Sequence, residues 1–161
     1  MTEFLLFMDT YRDRLIHHAF YRIGDLEDAE DIVQELFVKI YTQNHICKPE
    51  NAEAYLYKMT MNACIDFMRK QKRKFQIFQN FEMENQKTLD NEAVRNIQMK
   101  EEYVRINKIL NILPKEQADV VRFRIVDELS FKEITAILGK PESTIKSRFQ
   151  YALKKLKNHD L

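Results

Sequence analysis

Residues that break helices occur at only five places in 161 residues: Gly24, Pro49, Pro114, Gly139 and Pro141. Sheets and tight turns draw on Gly for positive φ, and a loop that cradles phosphate needs several glycines close together. With two Gly in the chain, an all-β fold, a P-loop and a Rossmann fingerprint have next to no room. Long helices are what the intervals between breakers allow.

Apolar spacing fills those intervals. Phe4, Phe7, Met8, Tyr11, Leu15, Ala19 and Phe20 follow an i, i+3, i+4 rhythm, and Gly24 can supply a left-handed C-terminal cap. Asp25 can cap a second helix with Ala29, Ile32, Val33, Leu36, Phe37 and Ile40 as one stripe. The polar TQNHICKPEN reads as a loop. A third helix carries Ala52, Tyr55, Leu56, Met59, Ala63 and Phe67 and runs into the basic string RKQKRK. A fourth, from about Glu92 to Ile112, has Ile97, Val104, Ile106, Ile109, Leu110 and Leu113 as its apolar positions. VVRFRIV at 120–126 alternates with period two, a strand signal, but a lone strand has no pairing partner here. Ala118, Val121, Ile125 and Leu129 also fit helical spacing, which predicts a helix.

Charge divides unevenly although the net is only +1. Residues 1–70 hold 8 basic and 12 acidic side chains, whereas residues 92–161 hold 14 basic and 10 acidic. Between them residues 75–91 are rich in Asn, Gln and Glu without a long amphipathic pattern, which reads as a linker. The apolar fraction of 45% suffices for packed cores. The fold expected is all-α: two small helical domains, 1–74 and 92–161, joined by a polar linker at 75–91, the C-terminal one a helix-turn-helix.

DELSFKEITAILGKPESTIKSRFQYALKKLK carries the most specific pattern. Ser130 with Glu133 forms an S-x-x-E capping box, and Ile134, Ile137 and Leu138 give the short helix its apolar face. Gly139 ends it and Pro141 opens the next. Ile145, Phe149, Ala152, Leu153 and Leu156 form the buried side of that second helix. Its opposite face offers Lys146, Ser147, Gln150, Tyr151 and Lys154. A major groove admits one helix, where Lys suits guanine, Gln suits adenine and Ser reads either. Six basic against two acidic residues over 140–161 favour DNA over a merely solvated face.

In the N-terminal half, DLEDAEDIVQE packs six acids and no base into residues 25–35. Asp28, Asp31 and Glu35 share a helical face, so a carboxylate metal site and an enzyme built on it compete with a solvated face and with a protein-docking face. Di-iron bundles use Glu-x-x-His pairs, which are absent, and neither His17, His18 nor His45 stands at ligand spacing. The docking reading has these acids surround an exposed edge of Ile32, Leu36 and Phe37. His45-x-Cys47 could be half a zinc site but has no second half. Cys47 and Cys64 lie 17 apart without a CxxC and read as reduced cytoplasmic thiols. No run approaches 18 apolar residues, and the N-terminus lacks the marks of a signal peptide. In NAEAYLYKMTMNACIDFMRKQKRK, aromatic Tyr55, Tyr57 and Phe67 interleave with Lys58, Arg69, Lys70, Lys72, Arg73 and Lys74, which suits unpaired bases and phosphates or, for the aromatics, a core.

In order, DAEDIVQELFVKIY, AYLYKMTMNACIDFMRK and LSFKEITAILGKPESTIKSRFQYALKKLK resemble a bacterial RNA polymerase sigma factor of the sigma-70 family. More narrowly, they resemble the short extracytoplasmic-function class that keeps only regions 2 and 4. The resemblance implies a transcription initiation factor without catalytic residues, metal, cofactor or small-molecule substrate. Its partners would be core RNA polymerase (the β′ clamp helices and the β subunit), promoter DNA, and an anti-sigma factor, in this class often membrane-bound. It implies polymerase contacts at Asp31, Ile32, Gln34, Glu35 and Phe37. The third helix and the turn after it would read and melt the −10 element through Tyr55, Lys58, Asn62, Asp66 and Arg69. The helix-turn-helix would read the −35 element through Arg124, Lys146, Ser147, Arg148, Gln150 and Tyr151. Tyr55 stands where the family usually has Trp, and Gln150 with Tyr151 replaces a commoner aromatic-or-His, Arg pair. The rival from the residues alone is a helix-turn-helix regulator acting without polymerase, and the bland reading of Asn62 is a cap that ends the third helix.

Overall fold

The computed structural model describes residues 2–43, 52–78 and 93–159. Every regular element among them is helical: α1 (Thr2–Ile23), α2 (Leu26–Thr42), α3 (Ala52–Phe78), α4 (Ala93–Leu110), α5 (Lys115–Val121) continuing into a π-helical turn (Arg122–Val126), α6 (Phe131–Leu138) and α7 (Glu142–Lys157). The TQNHICKPEN loop beyond Gln43, with His45 and Cys47, and the linker from residue 79 onward lie outside the described residues.

Local chemistry sets the helix ends as the sequence predicts. Gly24 adopts φ +80° and its N–H bonds Phe20 O at 2.8 Å. Next to it, Asp25 Oδ1 accepts from Asp28 N at 2.9 Å and starts α2. Ser130 and Glu133 form the full capping box, with bonds of 3.1 and 3.0 Å, and Gly139 closes α6 at φ +66°.

α1 packs on both α2 and α3. Ala29, Ile32, Val33, Leu36, Phe37 and Ile40, the whole stripe read from α2, are buried against Leu15, Ala19 and Phe20. The inward face of α3 is rotated from the expected one. Leu56, Tyr57, Thr60, Met61 and Cys64 are buried, whereas Tyr55, Met59, Ala63 and Phe67 flank that face half-buried. Thr60 is tolerated inside because its hydroxyl donates to Leu56 O at 2.7 Å. The helix also runs four residues past the expected linker boundary, leaving Phe75, Ile77 and Phe78 exposed.

In the C-terminal half, Val120, Phe123, Leu129, Ile134, Ile137 and Ile145 form the core, and Leu110, Leu113, Val121 and Ala152 tie α4 to α7. The π turn accounts for the odd alternation of VVRFRIV. Asp127 N bonds Arg122 O at 3.1 Å, an i→i+5 closure, and the wide turn buries four successive residues, Val120 to Phe123. Its phase shift turns Ile125 outward to 58% exposure, so Ile125 is not the core position that α-helical spacing implies. Leu153 on α7, and Ile97 and Val104 on α4, are also exposed rather than buried.

The two halves touch. α6 lies on α3, and Tyr103 of α4 sits over Gly24. One apolar cluster runs through both.

Candidate functional site

Three exposed faces and one buried cluster carry chemistry. On α3, Tyr55, Lys58, Asn62, Asp66 and Arg69 fall at steps of three and four residues and so form one stripe. The stripe lies opposite buried Leu56, Thr60 and Cys64. Lys58, Asn62, Asp66 and Arg69 are exposed and Tyr55 is half-buried, with Arg69 Nη1 3.9 Å from Asp66. Asn62 lies sixteen residues inside the helix end at Phe78, so it neither caps nor terminates α3, and no turn follows it. An Asn in mid-helix with its amide in solvent contributes little to the fold and offers donor and acceptor to a partner.

On α7, Lys146, Ser147, Gln150 and Tyr151 are exposed, Tyr151 at 65%, while Ile145 and Ala152 hold the helix down. Phe131 and Phe149 meet edge to face at 5.3 Å and fix the angle between α6 and α7. Lys146 pairs with Glu142 at 3.5 Å, an exposed contact that a stronger anion can replace. Arg148 is half-buried. Arg124 is apart from this face. Its guanidinium donates to Leu129 O at 3.0 Å and lies 5.0 Å over the Phe131 ring, which braces the turn before α6.

On α2 the structure corrects the docking face. Ile32 (9% exposed), Leu36 and Phe37 (3%) point into the core and present no exposed edge. The side chains that accompany exposed Asp31, Gln34 and Glu35 are Val38 and Tyr41, 57% and 52% exposed. Their spacing from Asp31, seven and ten residues, was the available signal.

The buried cluster joins the halves, and its residues were not singled out from sequence. His18 is fully buried, stacked on Phe123 at 5.2 Å and edge-on to Tyr57 at 5.7 Å. Its Nε2 accepts from Arg22 Nε at 2.9 Å, which leaves Nδ1 to carry the proton and donate to Asp127 Oδ2 at 2.6 Å. Arg22 Nη2 donates to Asp119 at 3.2 Å, and Arg122 Nη1 donates to Tyr21 O. Burial lowers the His18 pKa; Asp127 opposes that shift while Arg22 and Arg122 reinforce it, so the ring is neutral. Burial alone would raise the Asp127 pKa, but the two imidazoles more than offset it and hold the carboxylate ionised. Burial likewise brings Arg122 down to about 10, still charged at neutral pH, and pushes the free Cys64 thiol up to about 11. A protonated, buried thiol is unreactive.

Two family models match the chain. One, described as Sigma-70 region 2, covers residues 7–74, and the other, Sigma-70 region 4, covers residues 109–158. RNA polymerase sigma factor SigV of Bacillus subtilis (strain 168) is 28% identical over 84% of this chain and 78% of its own. ECF RNA polymerase sigma factor SigX of the same organism is 27% identical over 97% and 82%. Among solved structures, CnrH in complex with the cytosolic domain of CnrY superposes with a TM-score of 0.68 at 21% identity, over 96% of this chain and 84% of the other. The sigma factor RpoE in complex with the anti-sigma factor NepR from Bartonella quintana gives 0.66 at 23% identity, over 98% and 96%.

Proposed function

The chain belongs to the extracytoplasmic-function class of the sigma-70 family, and on that premise we propose how its surfaces divide the work of starting transcription. It binds core RNA polymerase and directs promoter recognition and melting, and the polymerase does the chemistry. Residues 1–78, to the end of α3, act as region 2, residues 79–91 as linker and residues 92–161 as region 4. In α2, Asp31, Gln34 and Glu35 dock on the β′ clamp helices together with Val38 and Tyr41, and Ile32 and Phe37 support that face from beneath. The α7 face, Lys146, Ser147, Gln150 and Tyr151, enters the major groove at the −35 element, with Arg148 on phosphate and Arg124 holding the turn in place.

The observation that carries this reading is the α3 stripe. Four residues whose types suit an unpaired strand stand in line on one face, with Asp66 beside Arg69 and the core directly behind them. Tyr55 offers a ring for stacking, Asn62 an amide for a base edge, and Lys58 and Arg69 charge for phosphates. A regulator acting without polymerase would use the helix-turn-helix alone and leave this stripe and the acidic α2 face without a role.

One of the structural neighbours is a sigma factor in complex with an anti-sigma factor, as its name states, and the other is in complex with the cytosolic domain of a second protein, which supports an anti-sigma factor as a partner of this chain. No helix among the described residues is long and apolar enough to cross a membrane, and the work assigned here is cytoplasmic. Asn62→Ala tests the site. With core polymerase, it should leave closed-complex formation within about twofold and slow promoter opening about tenfold or more, one lost base contact being worth roughly 1–3 kcal/mol. Permanganate reactivity of thymines near −10 reads this directly. Equal reactivity for mutant and wild type on linear and on pre-melted templates removes Asn62 from the reading surface.

A further inference from the structure

We propose that the cleft where α1, α3, α4 and α5 meet is a binding site for a nucleotide, with cations from three elements on its phosphates. The cavity holds about 500 Å³, within the range of small-ligand sites, roughly 300–1,000 Å³.

Charge selects an anion. Arg22 comes from α1, Arg69 and Lys72 from α3, and Lys115 and Arg122 from α5 and the π turn that continues it. Against these five cations the lining holds one carboxylate, Asp119, an excess of four positive charges. Asp119 answers Arg22 at 3.2 Å, and Arg69 has exposed Asp66 3.9 Å away. Lys72 and Lys115 make no ion pair among the described residues. Arg122 is 8% exposed, its Nη1 is committed to Tyr21 O, and its Nε has no partner among the described residues. Asp127, the other carboxylate near Arg122, is bonded to His18 and does not line the cleft. A cation held out of water attracts a nearby anion more strongly than one in bulk solvent.

The rest of the lining suits a heterocycle. Ile65, Met68, Arg69 and Lys72 fall at i, i+3, i+4 and i+7, so one face of α3 carries both apolar and cationic side chains into the cleft. α4 adds Tyr103, Asn107, Leu110 and Asn111. Met68 is 38% exposed, and a thioether and an aromatic ring are surfaces on which a flat base packs. Asn107 gives one N–H to the Tyr103 hydroxyl at 3.3 Å and Asn111 is exposed. Side-chain amides both donate and accept, as base edges require. An inorganic anion would leave this part of the cleft unused. Unpaired DNA tracks a groove several nucleotides long, whereas this cavity has the volume of a single small ligand. Arg69 is also a cation of the α3 stripe, so an occupied cleft withdraws it from promoter phosphate; that consequence alone rests on the function proposed above.

Calorimetric titration of the full chain with ATP and GTP, without magnesium and at about 0.15 M salt, tests the site. Both should bind with a Kd below about 1 mM, and tripolyphosphate, which lacks the ring, at least about tenfold more weakly. Lys72→Gln with Lys115→Gln, both exposed and so tolerated by the fold, should weaken ATP binding about tenfold or more by removing two charged contacts. Lys39→Gln with Lys157→Gln removes the same charge outside the cleft and should stay within about twofold, since salt screens distant charge. No saturable binding of either triphosphate, or equal losses in the two double variants, overturns the site. Tripolyphosphate as tight as ATP overturns the nucleotide, as does an unpaired dT oligonucleotide that binds through Lys72 and Lys115 where triphosphates do not. With core polymerase, ATP should lower permanganate reactivity near −10 more for wild type than for the Lys72, Lys115 variant. The polymerase's own nucleotide site is common to both, so an equal response overturns the coupling to the promoter. A chain that binds ATP in this cleft yet directs no initiation refutes the proposed function and leaves the nucleotide site standing.

Discussion

A methyl group at Gly24 tests the contact between the halves at a single atom. Gly24→Ala acts twice. At φ +80° an L-residue pays roughly 1–2 kcal/mol for the left-handed backbone, offset slightly by the smaller conformational freedom of Ala when unfolded. The new Cβ would also stand 2.4, 2.7 and 2.8 Å from Cε1, Cζ and Cδ1 of Tyr103, so the ring has to leave. Tyr103 is tilted against Phe20 at 6.1 Å, lies 3.5 Å from Arg22 O through its hydroxyl and accepts from Asn107 at 3.3 Å. Forcing such a ring out of a packed site costs about 1–3 kcal/mol. The single mutant should therefore lose about 2–5 kcal/mol. With Tyr103→Ala added, the clash is gone and only the backbone cost of Gly24→Ala remains. The two changes should then be non-additive by about 1–3 kcal/mol, read from urea unfolding by circular dichroism with both transitions fitted. Additivity within about 0.5 kcal/mol refutes the packing of Tyr103 over Gly24, and with it the contact of α4 with α1.

His18 predicts a pH dependence. The folded chain keeps the ring neutral chiefly by burying it, whereas the unfolded chain takes up a proton near the ordinary value of 6.5. By linkage, this contribution to stability is complete above that pH and is lost as pH falls below it. The half-buried Glu53 carboxyl, raised by partial burial and by Glu133, titrates in wild type and His18→Gln alike. The wild-type-minus-variant difference in the pH dependence of unfolding free energy between pH 5 and 8, read from urea transitions, therefore isolates His18, and a zero difference contradicts the assignment. Glu128, exposed at φ +57°, is in the left-handed region without being Gly, so Glu128→Gly should stabilise by about 0.5–1 kcal/mol, checked by the urea midpoint; an unchanged or lower midpoint counts against it. Val38→Ala with Tyr41→Ala should weaken core-polymerase binding in an anisotropy titration and shift stability by under about 0.5 kcal/mol per site. Phe37→Ala should cost about 3–5 kcal/mol of stability instead, and a folded Phe37→Ala that loses only binding would reverse the correction made to α2.

What the sequence made legible is local. A cap, a capping box and a left-handed Gly depend on residues within one turn, and Asp25, Ser130–Glu133, Gly24 and Gly139 all act as their neighbours dictate. The α2 stripe was equally plain because its six apolar residues have one consistent phase. Where phase changes inside an element, spacing misleads. The π turn at Arg122–Val126 breaks the register between Val121 and Ile125, and an alternating run of Val, Arg, Phe and Ile gives no warning of it. On α3 the aromatic and aliphatic residues spread over a wide arc, and only tertiary packing selects Tyr57, Thr60 and Cys64 as the face that turns inward.

The same limit explains why the exposed edge expected of Ile32, Leu36 and Phe37 on α2 is not there. Ile32 and Phe37 cannot both fill the stripe against α1 and offer an edge to polymerase, since a side chain at 3–9% exposure has no surface left to give. The outward apolar residues had to come from the acidic face itself, and Val38 and Tyr41 are the ones there. The buried cluster between the halves was out of reach for a further reason. His18 and Asp127 are 109 residues apart, Arg22 and Asp119 are 97, and Arg122 and Tyr21 are 101. Each taken alone reads as an ordinary polar position on an amphipathic helix. Charge patterning finds partners three or four residues away on one helix, but a buried cluster assembled from two domains has no period and leaves no local motif. Its one trace is Arg122 between Val121 and Phe123, a cation inside an apolar run. A buried cation of that kind requires a partner, and here the partner is the backbone of the other domain.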